Sequence, residues 1–257
     1  MDYRKLADTA MLAGKIMLQA GAETYRVEDT MQRILDTSGA ETTEVLVLST
    51  ALMLTLDDPS INEISKMQRI STRGTNLGHI CTVNGLSRKY CAGEISLEEI
   101  YEKLKLLGEK KQYSSGIYNL CTLITVVMFT LLLGGNVMDA LLAGGSAVLL
   151  VLFQMMFAKR GLNQFMYHMA ALACATFSVS VLQAVLHIDC NLELVVAGTA
   201  MPLLPGVALT NAIRDTLQGD YISGAARVVE AFIRAVACAA GIGIGLSFGS
   251  LVTGGVL

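Results

Sequence analysis

Charge is scarce in this chain: 16% of its 257 residues are Asp, Glu, Lys or Arg, and most of them come early. Residues 1–116 hold 14 of the 19 basic and 16 of the 22 acidic residues, which leaves five and six for residues 117–257. With 53% apolar residues and a mean hydropathy of +0.53, the chain is too greasy for an ordinary water-soluble domain. A net charge of −3 without a basic tail argues against a nucleic-acid partner. The three histidines, His79, His168 and His187, have no partners at metal-ligand spacing, so no metal or other cofactor is expected. The six cysteines, Cys81, Cys91, Cys121, Cys174, Cys190 and Cys238, show no C-x-x-C, and three fall inside apolar runs. They read as reduced thiols acting as small hydrophobes. There is no phosphate-cradling loop, no G-x-S-x-G and no H-E-x-x-H, so neither ATP-driven work nor an enzyme is expected. The start, MDYRKLADTAMLAGK, lacks a signal-peptide pattern, so the first part is expected to stay where it is made.

What the chain has in abundance is apolar length. Five runs follow residue 116, at about 117–133, 137–158, 164–186, 192–209 and 228–252. Each can cross a hydrocarbon core of roughly 30 Å at about 1.5 Å per residue. Lys110, Lys111, Lys159, Arg160, Arg214 and Arg227 all fall on one side of this pattern, and the connections GGN and HIDCN carry no Lys or Arg. The positive-inside rule then puts the N-terminus in the cytoplasm and the C-terminus outside the cell (inner) membrane. The expected fold is an α-helical multi-pass membrane protein with five transmembrane helices in 117–257, preceded by a soluble α+β domain in 1–116. In that domain apolar periodicity predicts the order α-α-β-β-β-α-α, with a small antiparallel sheet and a last helix capped by Ser96 with Glu99 three residues on. Gly241, Gly245 and Gly249 recur every four residues, and AGGSA occupies 143–147; such stripes let helices approach closely.

The segment MPLLPGVALTNAIRDTLQGD interrupts the fourth run. Pro202 and Pro205 break the helix, Gly206 allows close approach, and a new half-helix presents its positive end to the break. Backbone broken at membrane depth needs protein or a wet cavity around it, and transporters often hold substrate at such places. Asn211, Arg214 and Asp215 then share one helix face. Arg214 can grip a carboxylate at two points, and Asp215 can pair with it or carry a proton. A simple Pro kink with an interfacial charge cluster is the plain alternative. Arg227, Glu230 and Arg234 line a face at the start of the fifth run; Arg234 lies deep enough to need a partner or a cavity, unless it snorkels. In GAETYRVEDTMQRI at 21–34, Glu23–Arg26 and Arg26–Asp29 are spaced for ion pairs that any solvated helix can carry. QGDYISG at 218–224 reads as a short turn, with Asp220 placed to cap the next helix.

Two of these segments, GAETYRVEDTMQRI and PLLPGVALTNAIRDTLQGDYISGAAR, resemble the threonine/serine exporter family, as does the order of a cytosolic domain followed by five spans. The resemblance implies a secondary exporter of threonine and serine driven by the proton gradient. The residues themselves, with no site assignment carried over, point to substrate contact around Pro202, Pro205, Gly206, Asn211, Arg214 and Asp215 and to coupling or gating by Asp215, Glu230 and Arg234; the resemblance adds a docking or gating role for Glu23, Arg26 and Glu28, which lie in its first motif. It also implies the large subunit of a split form, working with a small membrane subunit, with a homo-oligomer left open. Some split pairs are linked to succinate instead, which leaves a dicarboxylate as the alternative cargo. A membrane-anchored ligand sensor or scaffold is the reading from another class.

Overall fold

A computed structural model describes residues 2–71, 73–110, 113–157 and 163–254. Lys111, Lys159 and Arg160, used above to orient the spans, lie outside the described residues. The chain forms two compact units, one of Met1–Gln112 with Val207–Val229, the other of Tyr113–Gly206 with Glu230–Leu257.

The first unit opens with helices α1 (Tyr3–Gln19) and α2 (Thr24–Asp36), followed by strands β1 (Thr42–Leu48), β2 (Ala51–Asp57) and β3 (Ile64–Arg69), then helices α3 (Leu77–Cys91) and α4 (Leu97–Glu109). The expected α-α-β-β-β-α-α order is therefore present. The sheet is antiparallel in the order β1-β2-β3, with Val45 opposite Leu54 and Met53 opposite Met67. Period-two alternation sends Leu52, Leu54 and Leu56 of β2 and Val45 and Val47 of β1 into the core. There they meet Leu6 and Met17 of α1, Met31 and Ile34 of α2, and Ile100 and Leu104 of α4.

Short polar residues start three of these helices. Asp2 accepts from Lys5 N at 3.0 Å, Asn76 from His79 N at 2.9 Å and Ser96 from Glu99 N at 3.2 Å, each satisfying an amide that lacks an intrahelical partner. Two later helices complete the unit: α9 (Gly206–Leu217) from Val207 onward, and the first nine residues of α10 (Tyr221–Val252). The turn expected at 218–224 is confined to residues 218–220. Gly224 N already bonds Asp220 O at 2.8 Å, so Tyr221 to Gly224 are helical.

The second unit consists of α5 (Ser115–Leu132), α6 (Val137–Phe157), α7 (Gln164–Leu186), α8 (Leu192–Ala200), a 3-10 turn at Met201–Leu203 and the rest of α10. Among the described residues, four helices are long and apolar enough to cross a membrane. The interrupted pair Leu192–Leu203 and Gly206–Leu217 makes a fifth span if taken as one. Asp139, almost fully buried, ties two helix starts together: its Oδ2 accepts from Asn136 N at 2.8 Å and its Oδ1 from Asn191 N at 2.7 Å. Ser146 and Thr199 share a buried 2.6 Å hydrogen bond. A Cβ added at Gly245 would sit 2.6 Å from Ala173 O, and one at Gly241 would strike Met169 O, so the glycine stripe is where α10 and α7 touch backbone to backbone. Large apolar side chains such as Leu132, Leu141, Met155, Phe232 and Leu251 point away from these contacts, as helices facing lipid require.

Candidate functional site: a four-residue turn held by two later helices

The α1–α2 turn is Ala20–Glu23. Gly21 has φ +82°, and a Cβ there would lie 2.6 Å from Gly74 O, so this position requires glycine twice over. Four consecutive residues, Gly21 to Thr24, are each gripped from α9 or α10. Asn211 Nδ2 donates to Gly21 O at 2.7 Å. Arg227 Nη2 donates to Ala22 O at 2.8 Å. Glu23 is shared between Arg26 Nε, at 3.1 Å, and Arg214 Nη1. Thr24 donates through its backbone N to Asp215 Oδ1 and through its hydroxyl to Asp215 Oδ2, both at 3.0 Å.

Asp215 does the work of a missing helix cap. Glu23 occupies the N-cap position of α2 but makes no capping bond with its own side chain. The free amide of Thr24 is taken instead by a carboxylate 191 residues along the chain. A negative charge at a helix start is favoured by the oriented peptide dipoles. Asp215 is fully buried, so its charge needs compensation, and Arg227 Nε supplies it at 3.0 Å from an equally enclosed position. Ser223 adds a further tie by accepting from Ser49 N at 3.1 Å in the β1–β2 turn.

The structure thus brings together Glu23, Arg26, Asn211, Arg214 and Asp215 of the sequence-predicted residues. Glu28 lies one turn along α2; burial, with the neighbouring Asp220 and Glu44, pushes its pKa up against the pull of the Val47 backbone N–H. Burial, then the Asp215 charge, likewise push Asp220 up, against the pull of Arg227. Pro202 lies in the 3-10 turn and Pro205 immediately before α9, with Leu204 between them in an extended conformation. In the second unit Arg234 Nη2 binds Glu230 Oε1 at 2.6 Å, an i, i+4 pair on α10.

Sequence reasoning missed Thr24 entirely and gave Arg227 to the Glu230 face. No local signal connects either to Asp215, because spacing rules stop at neighbouring turns. The one available pointer was that both segments belong to family signatures.

Next to the turn is a cleft of about 450 Å³, lined by Glu23, Arg26, Asn84, Arg88 and Asn211 among others. Its remaining lining is largely apolar and includes Leu77, Ile80 and Val207.

Membrane-length helices and an interrupted apolar pair point to a multi-pass membrane protein. A family model described as "Putative threonine/serine exporter" matches residues 8–249, nearly the whole chain, and the chain belongs to that family. No curated protein and no solved structure matches it.

Proposed function

We propose that this chain is a secondary-active exporter, or the large subunit of one, for small carboxylate-bearing metabolites, with threonine and serine as its cargo and the proton gradient as its drive. The observation that carries this reading is the family match across both units. The interrupted span supports it, since a scaffold has little use for Pro202-x-x-Pro205-Gly206 at membrane depth.

Within this reading the face of α9 acts as a gate rather than as the primary grip on cargo. The bonding capacity of Asp215 is taken up by Thr24 and Arg227, and Arg214 is engaged with Glu23. The Asp215 carboxylate holds Thr24 and Arg227 together, so this clasp is where a coupled cycle would act. Glu230 and Arg234 form the second charged pair available for coupling, on the membrane part of α10.

The test is counterflow in liposomes carrying the purified protein, with and without a small membrane subunit, against threonine, serine and succinate under an imposed pH gradient. Threonine or serine counterflow that collapses with the gradient is the expected result. Succinate alone would shift the cargo to dicarboxylates. No flux of any of the three, with the partner present, would sink the exporter reading.

A further inference from the structure

The cleft beside the clasp combines features of a ligand site that the clasp does not use. Its volume, about 450 Å³, falls within the range of small-molecule pockets, roughly 300–1,000 Å³. One face of α3 forms a wall: Leu77, Ile80, Cys81, Asn84 and Arg88 recur at helical spacing, with the apolar residues first and the polar ones toward the far end. The charge is unbalanced. Two guanidiniums, Arg26 and Arg88, line it against one carboxylate, Glu23, which is already shared with Arg214. Arg26 spends only its Nε on Glu23. Arg88 has no ion-pair partner among the described residues. Asn84 has its Oδ1 engaged by Thr30 Oγ1 at 3.3 Å, which leaves its amide NH₂ to donate. Asn211 has its NH₂ engaged by Gly21 O, which leaves its Oδ1 to accept.

We propose that this cleft binds a small carboxylate-bearing metabolite, with Arg26 and Arg88 taking the carboxylate and Asn84 adding a donor. A planar fork of N–H donors suits a carboxylate at two points, and a half-enclosed apolar wall strengthens the attraction. Asn211 Oδ1 receives the ammonium of an amino acid, whereas a dicarboxylate places one carboxylate at each of Arg26 and Arg88. Because Asn211 also holds the Gly21 carbonyl, an occupied cleft bears directly on the clasp. The inference rests on the exporter reading only for which metabolites are tried.

The test uses Cys81, an exposed thiol in the cleft wall, as a reporter. Cys91, also exposed and on the same helix but outside the cleft lining, is the control. Full-length protein in nanodiscs is alkylated with a maleimide, and the rate at each cysteine is read by mass spectrometry with threonine, serine or succinate at millimolar concentration. The expected result is several-fold slower labelling of Cys81 with at least one of the three, unchanged labelling of Cys91, and loss of protection in Arg88→Gln. Which metabolite protects separates the zwitterion from the dicarboxylate. Arg88 is exposed and lacks an ion pair among the described residues, so its replacement leaves the fold intact; the melting temperature checks this. Unprotected Cys81 with all three, or protection that survives both Arg26→Gln and Arg88→Gln, would overturn the proposal. Protection is read without transport. Efflux without protection therefore counts against the cleft, and protection without efflux counts against the exporter.

Discussion

At the scale of single residues, the informative contrast is between two ion pairs of one clasp. Asp215–Arg227 is enclosed, whereas Arg214 is about half exposed on its side chain at 48%. Removing one partner of an enclosed pair leaves an uncompensated charge, at a cost of about 3–5 kcal/mol. An exposed partner is screened by water, and its pairing contributes at most about 1 kcal/mol. Thermal unfolding in detergent is therefore expected to show large losses for Arg227→Gln and Asp215→Ala and a small one for Arg214→Ala. The double variant Asp215→Ala/Arg227→Gln is expected to lose less than the sum of the two single ones, because it leaves neither charge behind. Additive losses would mean that the two side chains stabilise separate neighbours rather than each other.

At the scale of elements, helix α10 shows why apolar runs and helices have different ends. The apolar run begins near residue 228, but the helix begins at Tyr221. Hydropathy marks where lipid starts, and a helix needs no lipid to start; its first turns here carry Ser223 and Arg227 to the α1–α2 turn and the hairpin. Further along, spacing alone had marked Gly241 and Gly245 as a contact stripe, and both meet the backbone of α7. Gly243, between them, faces open space. Gly245→Ala must push two backbones apart and is expected to cost on the order of 1–3 kcal/mol, while Gly243→Ala costs nothing measurable. Melting temperatures of the two variants side by side decide the matter; equal effects would mean that the stripe is not a packing surface.

At the scale of the whole molecule, the division of charge at residue 116 predicts which parts meet which compartment. On the positive-inside rule, Cys190, in the connection before α8, is expected outside, and Cys81 and Cys91 in the cytoplasm. A membrane-impermeant maleimide applied to intact cells is expected to label Cys190, and to reach Cys81 and Cys91 only after permeabilisation. Burial and the neighbouring Asp139 and Asp189 push the Cys190 thiol up, so labelling at alkaline pH is needed for enough thiolate. Labelling of Cys81 before permeabilisation would invert the orientation. The first unit takes in residues 207–229 as well as the N-terminal part of the chain. Composition could mark that stretch as less apolar but not say which unit it joins.

The sequence by itself determined whatever depends on neighbours along the chain: the α-α-β-β-β-α-α order, the membrane-length helices, the Pro202–Pro205 break and the Ser96 cap. Each follows from periodicity, side-chain chemistry or backbone restriction within a few turns. Only the tertiary structure decided that Asp215 caps α2, that Arg227 neutralises it and that Arg26, Asn84, Arg88 and Asn211 line one cleft. Those groups lie far apart in sequence, and no local rule says which buried charge will meet which; that is settled by the packing that removes them from water together.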